Sequence, residues 1–380
     1  MRKVLVFGFI GLVMMACGGE PPVAVAPQPT VTAPPPPPPV DTTPPAPTAP
    51  PAPPPKKPLA DLQKEAGKAL AEGFAAGDAK KVAALYTENA TFKLAGQPDL
   101  VGRANIEKAL TNFFGAFGKV KMGEQRVFVK KEIVVTEWVM NATHSGDFMG
   151  TKATEKPVGW VGASVLWFDD DGKIKEDHTY WNVAVVPFQI GTSKDKNRTP
   201  PALPGAPQVM PSTGAPAEEE NVKVVHSLNE ALEKKDEKKL GALFADKAEW
   251  DDITLPEAQK GKAAILKYWK GLSTAFPDGK ASTTLAFGAG DWVVEEGTYA
   301  GTNNGPLFGA PPTKKAMTIH ELNIVQLDKD KKIVKAVTYG NDLEMTAQLA
   351  PPKKDAAPAK PATPAPAKPT TPATATPAKK

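Results

Sequence analysis

The feature that most constrains the fold is an internal repeat. Residues of the same type recur at an offset of about 159 positions, as in Gly146 and Gly305 or Tyr180 and Tyr339. Further pairs at this offset are Ile106/Ile265, Phe117/Phe276, Glu137/Glu296, Thr143/Thr302, Gly150/Gly309, Ile174/Ile333 and Asn182/Asn341. Because the offset drifts by only one residue over a whole domain length, we predict two copies of one fold and not one domain of 380 residues.

Proline separates the two copies from each other and from both ends of the chain. Residues 18–58, 197–217 and 350–380 hold 19, 6 and 9 of the 42 prolines. Such segments favour extended polyproline conformations, and they have too few apolar side chains to collapse. They therefore predict a stalk, an interdomain linker and a disordered tail.

The first residues resemble the signal peptide of a bacterial lipoprotein. Arg2 and Lys3 precede an apolar run over 4–15, which is too short for a membrane span and typical of a signal-peptide core. Ala16 then precedes the only cysteine, Cys17, as in a lipobox that is cut before a diacylated cysteine. We therefore predict an anchor in membrane lipid through acylated Cys17, with an ordinary secretory signal as the alternative.

This anchor predicts a location in the bacterial cell envelope, outside the cytoplasm, at the outer membrane or the periplasmic face. The predicted organisation is a signal peptide over 1–16, the lipidated cysteine and stalk over 17–58, a first domain over 59–196, a linker over 197–217, a second domain over 218–349 and a tail over 350–380.

The net charge of +4 comes from the tail. Residues 59–199 carry 19 basic and 18 acidic side chains, residues 217–349 carry 17 and 21, and residues 350–380 carry six lysines and one aspartate. Nucleic-acid binding needs basic side chains clustered on a folded face, so we predict no nucleic-acid partner. The lysines of the tail suit an anionic envelope polymer, and a solvated end is the alternative.

Within one copy, the hydrophobic pattern predicts helices before strands. Apolar residues at helical spacing predict helices over 60–76, from Asp78 to about Tyr86, and after Gly102. Strands are predicted over 90–94, 127–129, 133–143, 157–168 and 174–185. Three helices segregated against an antiparallel sheet make an α+β fold.

This order resembles the SnoaL-like group of the nuclear-transport-factor-2-like superfamily. The resemblance rests on the strand–loop–strand over 297–315 and on residues 172–174 and 180–182. It implies two cone-shaped units, each of about three helices packed on a curved, mainly antiparallel sheet around an apolar pocket. The superfamily includes polyketide cyclases, ketosteroid isomerases, dehydratases and non-catalytic binding modules, so the fold alone does not indicate an activity.

The acidic residues of these enzymes are largely replaced in this chain. The resemblance places the aspartate of the cyclases at Ser164 in the first copy and at Asn323 in the second. Neither is a general base, although the Asn323 amide is able to donate a hydrogen bond to an enolate. The isomerase base corresponds to Asp252, and to Leu94 in the first copy. Asp252 and Asn323 are thus the candidate catalytic pair, with a solvated turn at Asp252 as the alternative.

Strand alternation adds candidate pocket residues. Glu321 shares a strand face with Asn323, and His178 shares one with Tyr180. The predicted ligand pocket comprises Trp160, Ser164, His178, Tyr180, Glu321 and Tyr339. Ordinary packing is the alternative for each of them.

The leading hypothesis is an envelope lipoprotein whose tandem domains bind a small apolar ligand or a protein partner without catalysis. One alternative is an isomerase or cyclase-like lyase that enolises its substrate in the second domain. Another is a structural role in which the two domains pack on each other through their sheets, or the chain homodimerises. The four histidines show no metal-ligand spacing, and no phosphate loop or hydrolase motif occurs, so we predict no cofactor and no metal.

Overall fold

A computed structural model describes residues 56–350 of the chain. These residues form two mixed sheets with helices, one for each repeat, and the predicted α+β fold class is confirmed. The signal peptide, Cys17, nearly all of the stalk and the tail beyond residue 350 lie outside the described residues. No helix in the described range is long and apolar enough to cross a membrane.

The first domain begins with helices and continues into strands. Its elements are α1 (Leu59–Ala76), α2 (Ala79–Ala83), β1 (Tyr86–Leu94), β2 (Leu100–Val101), α3 (Arg103–Ala116), β3 (Phe117–Lys130), β4 (Ile133–His144), β5 (Pro157–Phe168), β6 (Ile174–Trp181) and α4 (Val185–Ile190). Helix α1 ends at Gly77, whose φ of 64° lies in the left-handed region that glycine adopts without strain. Asp78 then caps α2 by accepting a hydrogen bond from the Lys81 backbone N–H.

The linker and the second domain repeat this order. Their elements are β7 (Gln208–Pro211), α5 (Pro216–Glu233), α6 (Glu237–Leu243), β8 (Phe244–Asp252), β9 (Gln259–Lys260), α7 (Lys262–Ala275), β10 (Lys280–Ala289), β11 (Trp292–Thr302), β12 (Ala316–Leu327), β13 (Ile333–Tyr339) and α8 (Asp342–Leu349). The linker strand β7 pairs in parallel with β3, so part of the predicted linker extends the first sheet.

The prediction was wrong at the end of the last strand of the first domain. We predicted a strand over 174–185, but β6 ends at Trp181 and α4 begins at Val185. The Asn182 side chain accepts a hydrogen bond from the Ala184 N–H and turns the chain there. Strand β3 is likewise longer than the predicted 127–129.

Each sheet is mainly antiparallel. The strand order is β2-β1-β6-β5-β4-β3-β7 in the first sheet and β10-β11-β12-β13-β8-β9 in the second. The first strand of each domain joins the last one in parallel, as β1 with β6 and β8 with β13. This pairing brings the end of the first strand beside the middle of the sheet, where Asp252 lies next to Thr338.

The two sheets also contact each other. One apolar cluster contains buried residues of both domains, including Phe128, Val135, Val165, Phe287, Trp292 and Ile324. Within it, the Tyr180 hydroxyl donates to Glu296 Oε1 at 2.8 Å, and the Tyr339 hydroxyl donates to Glu137 Oε1 at 2.7 Å. These two bonds join equivalent residues of the repeat in opposite directions, which is the arrangement of a two-fold interface.

Candidate functional site

The second domain contains a cavity between its helices and the inner face of its sheet. The space open to the centres of water molecules is about 110 Å³, several times what one water molecule occupies. Aromatic side chains form much of its wall: Trp250, Tyr268, Trp269, Phe276 and Tyr299. A cavity of this kind, apolar with a few polar groups, is typical of a small-molecule site.

Strand register brings the polar groups of this cavity into one row. Glu295 on β11 pairs with Asn323 on β12, Asn323 pairs with Thr338 on β13, and Thr338 pairs with Asp252 on β8. Directly paired residues point to the same face of a sheet, with side chains about 5 Å apart. Glu321 lies two residues before Asn323 and therefore shares that face. All five residues line the cavity.

Asp252 is buried in this row and is only 9% exposed. Its Oδ1 accepts from the Thr254 backbone N–H and hydroxyl, and its Oδ2 accepts from the Tyr268 hydroxyl at 2.9 Å. Burial raises the pKa of Asp252, and the hydrogen bonds from Thr254 and Tyr268 oppose that rise. The structure therefore places the candidate pair Asp252 and Asn323 in the same cavity and does not place Asp252 in a solvated turn.

Asp251 points elsewhere. Its carboxylate pairs with Arg198 of the linker, with 2.6 Å between Arg198 Nη2 and Asp251 Oδ1. The same guanidinium donates to the carbonyl oxygens of Asp252 and Leu255. Arg198 thus ties the linker to the end of β8, and no spacing in the sequence indicated this contact.

Glu321 has the most perturbed carboxyl group of the cavity. Burial raises its pKa to about 8, and repulsion from Asp252 and Glu295 adds to the effect. Within residues 56–350 no hydrogen bond or ion pair to its side chain is present. Near neutral pH the group is therefore largely protonated and free to donate a hydrogen bond.

Glu295 is a cavity residue that the sequence analysis missed. Its Oε1 accepts hydrogen bonds of 2.8 Å from Asn229 on α5 and from Thr283 on β10. Burial raises its pKa despite these bonds. The signal was present in the sequence, because Glu295 and Glu296 are adjacent in a strand and must point to opposite faces. Only the strand register that pairs Glu295 with Asn323 shows that Glu295 is the one that points into the cavity.

The interior of the first domain is filled by tryptophan. Trp160 and Trp181 stack with ring centroids 4.7 Å apart, and the Trp138 indole donates to Ser164 Oγ at 3.1 Å. Trp160 is 3% exposed. The predicted pocket residues Trp160 and Ser164 are therefore packing residues of this interior. Trp160 also borders a second cavity of about 90 Å³, which lies beside the linker and outside the tryptophan cluster.

The repeat offset shows what takes the place of these tryptophans in the second domain. The positions equivalent to Trp138, Trp160 and Trp181 hold Gly297, Ile319 and Gly340, and all three line the open cavity. The polar row changes as well. The equivalent row of the first domain consists of Thr136, Ser164, Thr179 and Leu94 and contains no carboxylate.

The other predicted pocket residues lie between the two sheets. Tyr180 and Tyr339 are bound to the glutamates of the opposite domain, as described above, and neither lines the second-domain cavity. His178 bridges Glu296 at 2.7 Å and Glu176 at 2.8 Å. Burial alone would lower the pKa of His178, but hydrogen bonds and attraction from Glu296 and Glu176 outweigh it and raise the pKa. These side chains point to the sheet face that the partner domain covers.

No group of three or more His, Cys, Asp or Glu side chains with a geometry for a metal ion occurs in residues 56–350. Asp252 accepts hydrogen bonds from hydroxyl and backbone donors, and Glu295 accepts them from an amide and a hydroxyl. The arrangement suits an organic ligand held by hydrogen bonds and aromatic surface.

Comparison with known proteins places both repeats in one family. The sequence model for SnoaL-like polyketide cyclases matches residues 64–190 and 222–349, about two thirds of the chain. The predicted tandem SnoaL-like domains are thereby confirmed. No curated protein matches the sequence.

Solved structures of similar fold each correspond to about one domain. AclR from Streptomyces galilaeus, described as a candidate hydroxylase, is 20% identical, and the match covers 36% of this chain and 85% of AclR with a TM-score of 0.33. IdmH from Streptomyces antibioticus, a candidate polyketide cyclase, is 23% identical, with 34% and 98% covered and a TM-score of 0.31. A candidate cyclase from Xanthomonas campestris pv. campestris is 19% identical, with 35% and 98% covered and a TM-score of 0.32.

Proposed function

The chain belongs to the SnoaL-like polyketide cyclase family in both of its domains, and from that premise we propose that only the second domain binds a small organic molecule. The first domain is its structural partner. The cone-shaped fold provides one interior per domain, and the second interior is open while the first is packed with side chains.

One observation carries this proposal. At three equivalent positions the first domain has Trp138, Trp160 and Trp181, whereas the second has two glycines and an isoleucine around a cavity. Buried tryptophan contributes strongly to core stability, so its replacement by glycine is costly unless the space has a use. An open, polar-lined interior in a stable fold is therefore best explained by a ligand.

The direct test fills the cavity with the side chains of the first domain. Ile319→Trp and Gly340→Trp suit this purpose, because a Cβ at Gly340 meets its nearest atoms at an ordinary 3.8 Å. Gly297→Trp is unsuitable, since a Cβ there would lie 2.1 Å from the Ser282 carbonyl oxygen. Trp160→Ile in the first domain is the matched control for a change of interior volume.

Ligand binding is best followed through the seven indole N–H signals in an NMR spectrum of the full chain. Small aromatic probes with and without charge, namely benzylamine, benzyl alcohol and benzoate, are titrated in turn. We expect at least one probe to shift the signals of Trp250 and Trp269, which line the cavity, and the double variant to abolish those shifts. Shifts confined to Trp138, Trp160 and Trp181, or no shifts at all, would contradict the proposal.

A second candidate function is enolisation of a ketone in the same cavity. It is favoured by the placement of Asp252, Asn323 and Glu321 on one face of the sheet. Asp252 would remove a proton next to the carbonyl, and Asn323 together with protonated Glu321 would hydrogen-bond the enolate oxygen. The three hydrogen bonds that Asp252 already accepts occupy both carboxylate oxygens and oppose the rise in pKa that burial causes, which favours binding over catalysis.

This candidate has its own assay. The full chain is incubated with 3-cyclohexen-1-one in deuterated water, and conversion to the conjugated ketone and deuterium uptake are followed by NMR. If the cavity catalyses enolisation, the native chain must convert the ketone faster than the Asp252→Asn variant does. Equal rates for the native chain and Asp252→Asn would exclude enolisation by this cavity and would not affect the proposal of ligand binding.

We also propose that the chain is an envelope lipoprotein anchored through acylated Cys17, with its lysine-bearing tail in contact with anionic polymer or lipid. The lipobox-like sequence before Cys17 and the proline-rich segment after it support this. Cells expressing the chain are labelled with a radioactive fatty acid, and we expect Cys17→Ser to remove the label from the protein. Full labelling of that variant would rule out the anchor.

A further inference from the structure

We propose that the cavity of the second domain selects an organic cation, such as an ammonium ion on a small aromatic or aliphatic body. This inference rests on the proposed binding function and adds the chemical class of the ligand. It is drawn from the charge of the cavity, from its aromatic wall and from the contrast with the first domain.

Five carboxyl groups line the cavity, namely Glu233 and Asp342 together with Asp252, Glu295 and Glu321 of the sheet, and within residues 56–350 fewer basic side chains line it. Asp252, Glu295 and Glu321 all line it, and within residues 56–350 none of the three forms an ion pair. The basic side chains on the lining are Lys235, which is exposed, and His320, which is bound to Glu344 at 2.6 Å. Asp252 and Glu295 are buried, and a buried carboxylate without a counter-charge is costly, so a cationic ligand would be favoured there.

The first domain shows that these carboxyl groups accompany the open cavity. The positions of Asp252, Glu295 and Glu321 are occupied there by Leu94, Thr136 and Gly162. A Cβ at Gly162 would overlap the Trp138 ring at 2.3 Å, so a glutamate cannot coexist with that tryptophan. The filled interior has a buried carboxyl group at a different position, Asp177, which accepts hydrogen bonds from Tyr86 at 2.6 Å and Thr179 at 2.9 Å. The three carboxyl groups at the positions above therefore occur only with the open cavity, as expected if they serve a ligand and not the fold.

The aromatic wall is the second, independent observation. Trp250, Tyr268, Trp269 and Tyr299 line the cavity together with the carboxyl groups, and organic cations are attracted to the faces of such rings. Trp250 is only 3% exposed, and its indole N–H has no acceptor within residues 56–350. A ligand with a cationic end and a neighbouring oxygen would satisfy both the carboxyl groups and this donor.

The proposal predicts a coupling between ligand binding and a proton. The titratable groups that face Glu321 are Asp252 on β8, Glu295 and Tyr299 on β11, Tyr268 on α7 and Glu344 on α8, and none of them carries a positive charge. A bound cation would therefore favour the ionised form of Glu321 and displace its proton. Affinity should rise with pH up to about 8 and become constant above it.

The test compares three probes of one shape in the full chain: benzylamine as a cation, benzyl alcohol as a neutral molecule and benzoate as an anion. We expect benzylamine to bind at least about tenfold more tightly than benzyl alcohol, and benzoate not to bind. Benzyltrimethylammonium, whose charge does not change with pH, serves for the pH series.

Variants separate the cavity charge from the overall charge. Glu321→Gln should lower benzylamine affinity about tenfold, leave benzyl alcohol within about twofold, and remove the pH dependence of benzyltrimethylammonium binding. Glu257→Gln changes the net charge equally at an exposed site that pairs with Lys196, and it should have no effect. Glu295→Gln gives a second cavity variant in case Glu321→Gln misfolds.

The outcomes distinguish this inference from the function on which it rests. If benzyl alcohol or benzoate binds as tightly as benzylamine and Ile319→Trp/Gly340→Trp weakens that binding, the cavity binds a ligand but the cationic class is wrong. If no probe binds, the proposed function fails together with this inference. Equal loss of benzylamine affinity in Glu257→Gln and Glu321→Gln would also overturn the cationic class.

Discussion

The two domains share one fold but differ in what fills it. The interior of the first is closed by Trp138, Trp160 and Trp181, whereas the interior of the second is open and lined by carboxyl groups. The two copies of the fold therefore differ: one has a tightly packed interior and the other has an open cavity. Family membership alone therefore does not show which domain has a binding site, because the same fold supports a filled interior and an open one.

The opposite face of each sheet has remained alike in the two domains. Glu137 and Glu296 are equivalent, and each accepts a hydrogen bond from the equivalent tyrosine of the other domain. Their remaining partners differ. Glu137 forms a buried two-point ion pair with Arg126, while Glu296 is held by His178. One side of the interface therefore has a permanent cation and the other a titratable one.

The largest expected effect tests whether the two interiors differ in packing. Trp160→Ala should reduce the free energy of unfolding by about 3–5 kcal/mol, because a buried ring is removed from a tight cluster. Ile319→Ala at the equivalent position should cost only about 1 kcal/mol, since that side chain already borders open space. Urea unfolding followed by circular dichroism measures both. Similar losses of unfolding free energy in the two variants would show that the two interiors are packed equally well.

The next effect tests the symmetry of the interface. Tyr180→Phe and Tyr339→Phe each remove one hydrogen bond to a buried carboxylate and should each lower the free energy of unfolding by about 1.5–3 kcal/mol. Equal losses in urea unfolding would sharpen the two-fold description. A large loss in one variant and none in the other would show that only one of the two contacts stabilises the structure.

A smaller effect concerns Glu321 and pH. Its pKa is raised from 4.5 to about 8, so the folded chain keeps a proton that the unfolded chain loses between these values. Stability should therefore fall as pH rises from 4.5 to 8, by at most about 1.4 kcal/mol per pH unit from this group. Glu321→Gln should show a flatter profile in thermal unfolding over that range. A parallel profile for both proteins would indicate an ordinary, solvated carboxyl group.

The smallest effect concerns His178. Burial lowers the pKa of His178, but its glutamate partners raise it by more, so the pKa in the folded chain lies above 6.5. The contribution of His178 to stability is therefore complete below pH 6.5 and is lost as pH rises through the pKa of the folded chain. The difference in stability between the native chain and His178→Gln should therefore shrink as pH rises above 6.5. A difference that stays constant from pH 6 to 9 would contradict this prediction, because it would mean that His178 does not change its charge in that range.

The sequence predicted the fold well because both repeats report on the same structure. The offset between equivalent residues such as Gly146 and Gly305 indicated the duplication, and periodicity located most helices and strands. Alternation also placed Glu321 correctly beside Asn323. These signals are local, and local spacing determines which residues share a strand face.

The remaining site residues could not be predicted because they depend on contacts between distant segments. Alternation groups Tyr180 with His178, but only the packing of the two sheets shows that this face is covered by the other domain. The role of Glu295 depended on its register with Asn323. The filling of the first interior required knowing that Trp138 and Trp181, on different strands, point into one space.

The most direct test of the account is a crystal structure of the full chain soaked with benzylamine. We predict that density for the probe appears in the second domain, with its nitrogen close to Glu321 and Asp252 and its ring against Trp250 or Trp269, and that the tryptophan-filled interior of the first domain stays unoccupied. Density in the first interior, or only between the two sheets, would contradict the central claim that the two copies have divided stability and binding between them.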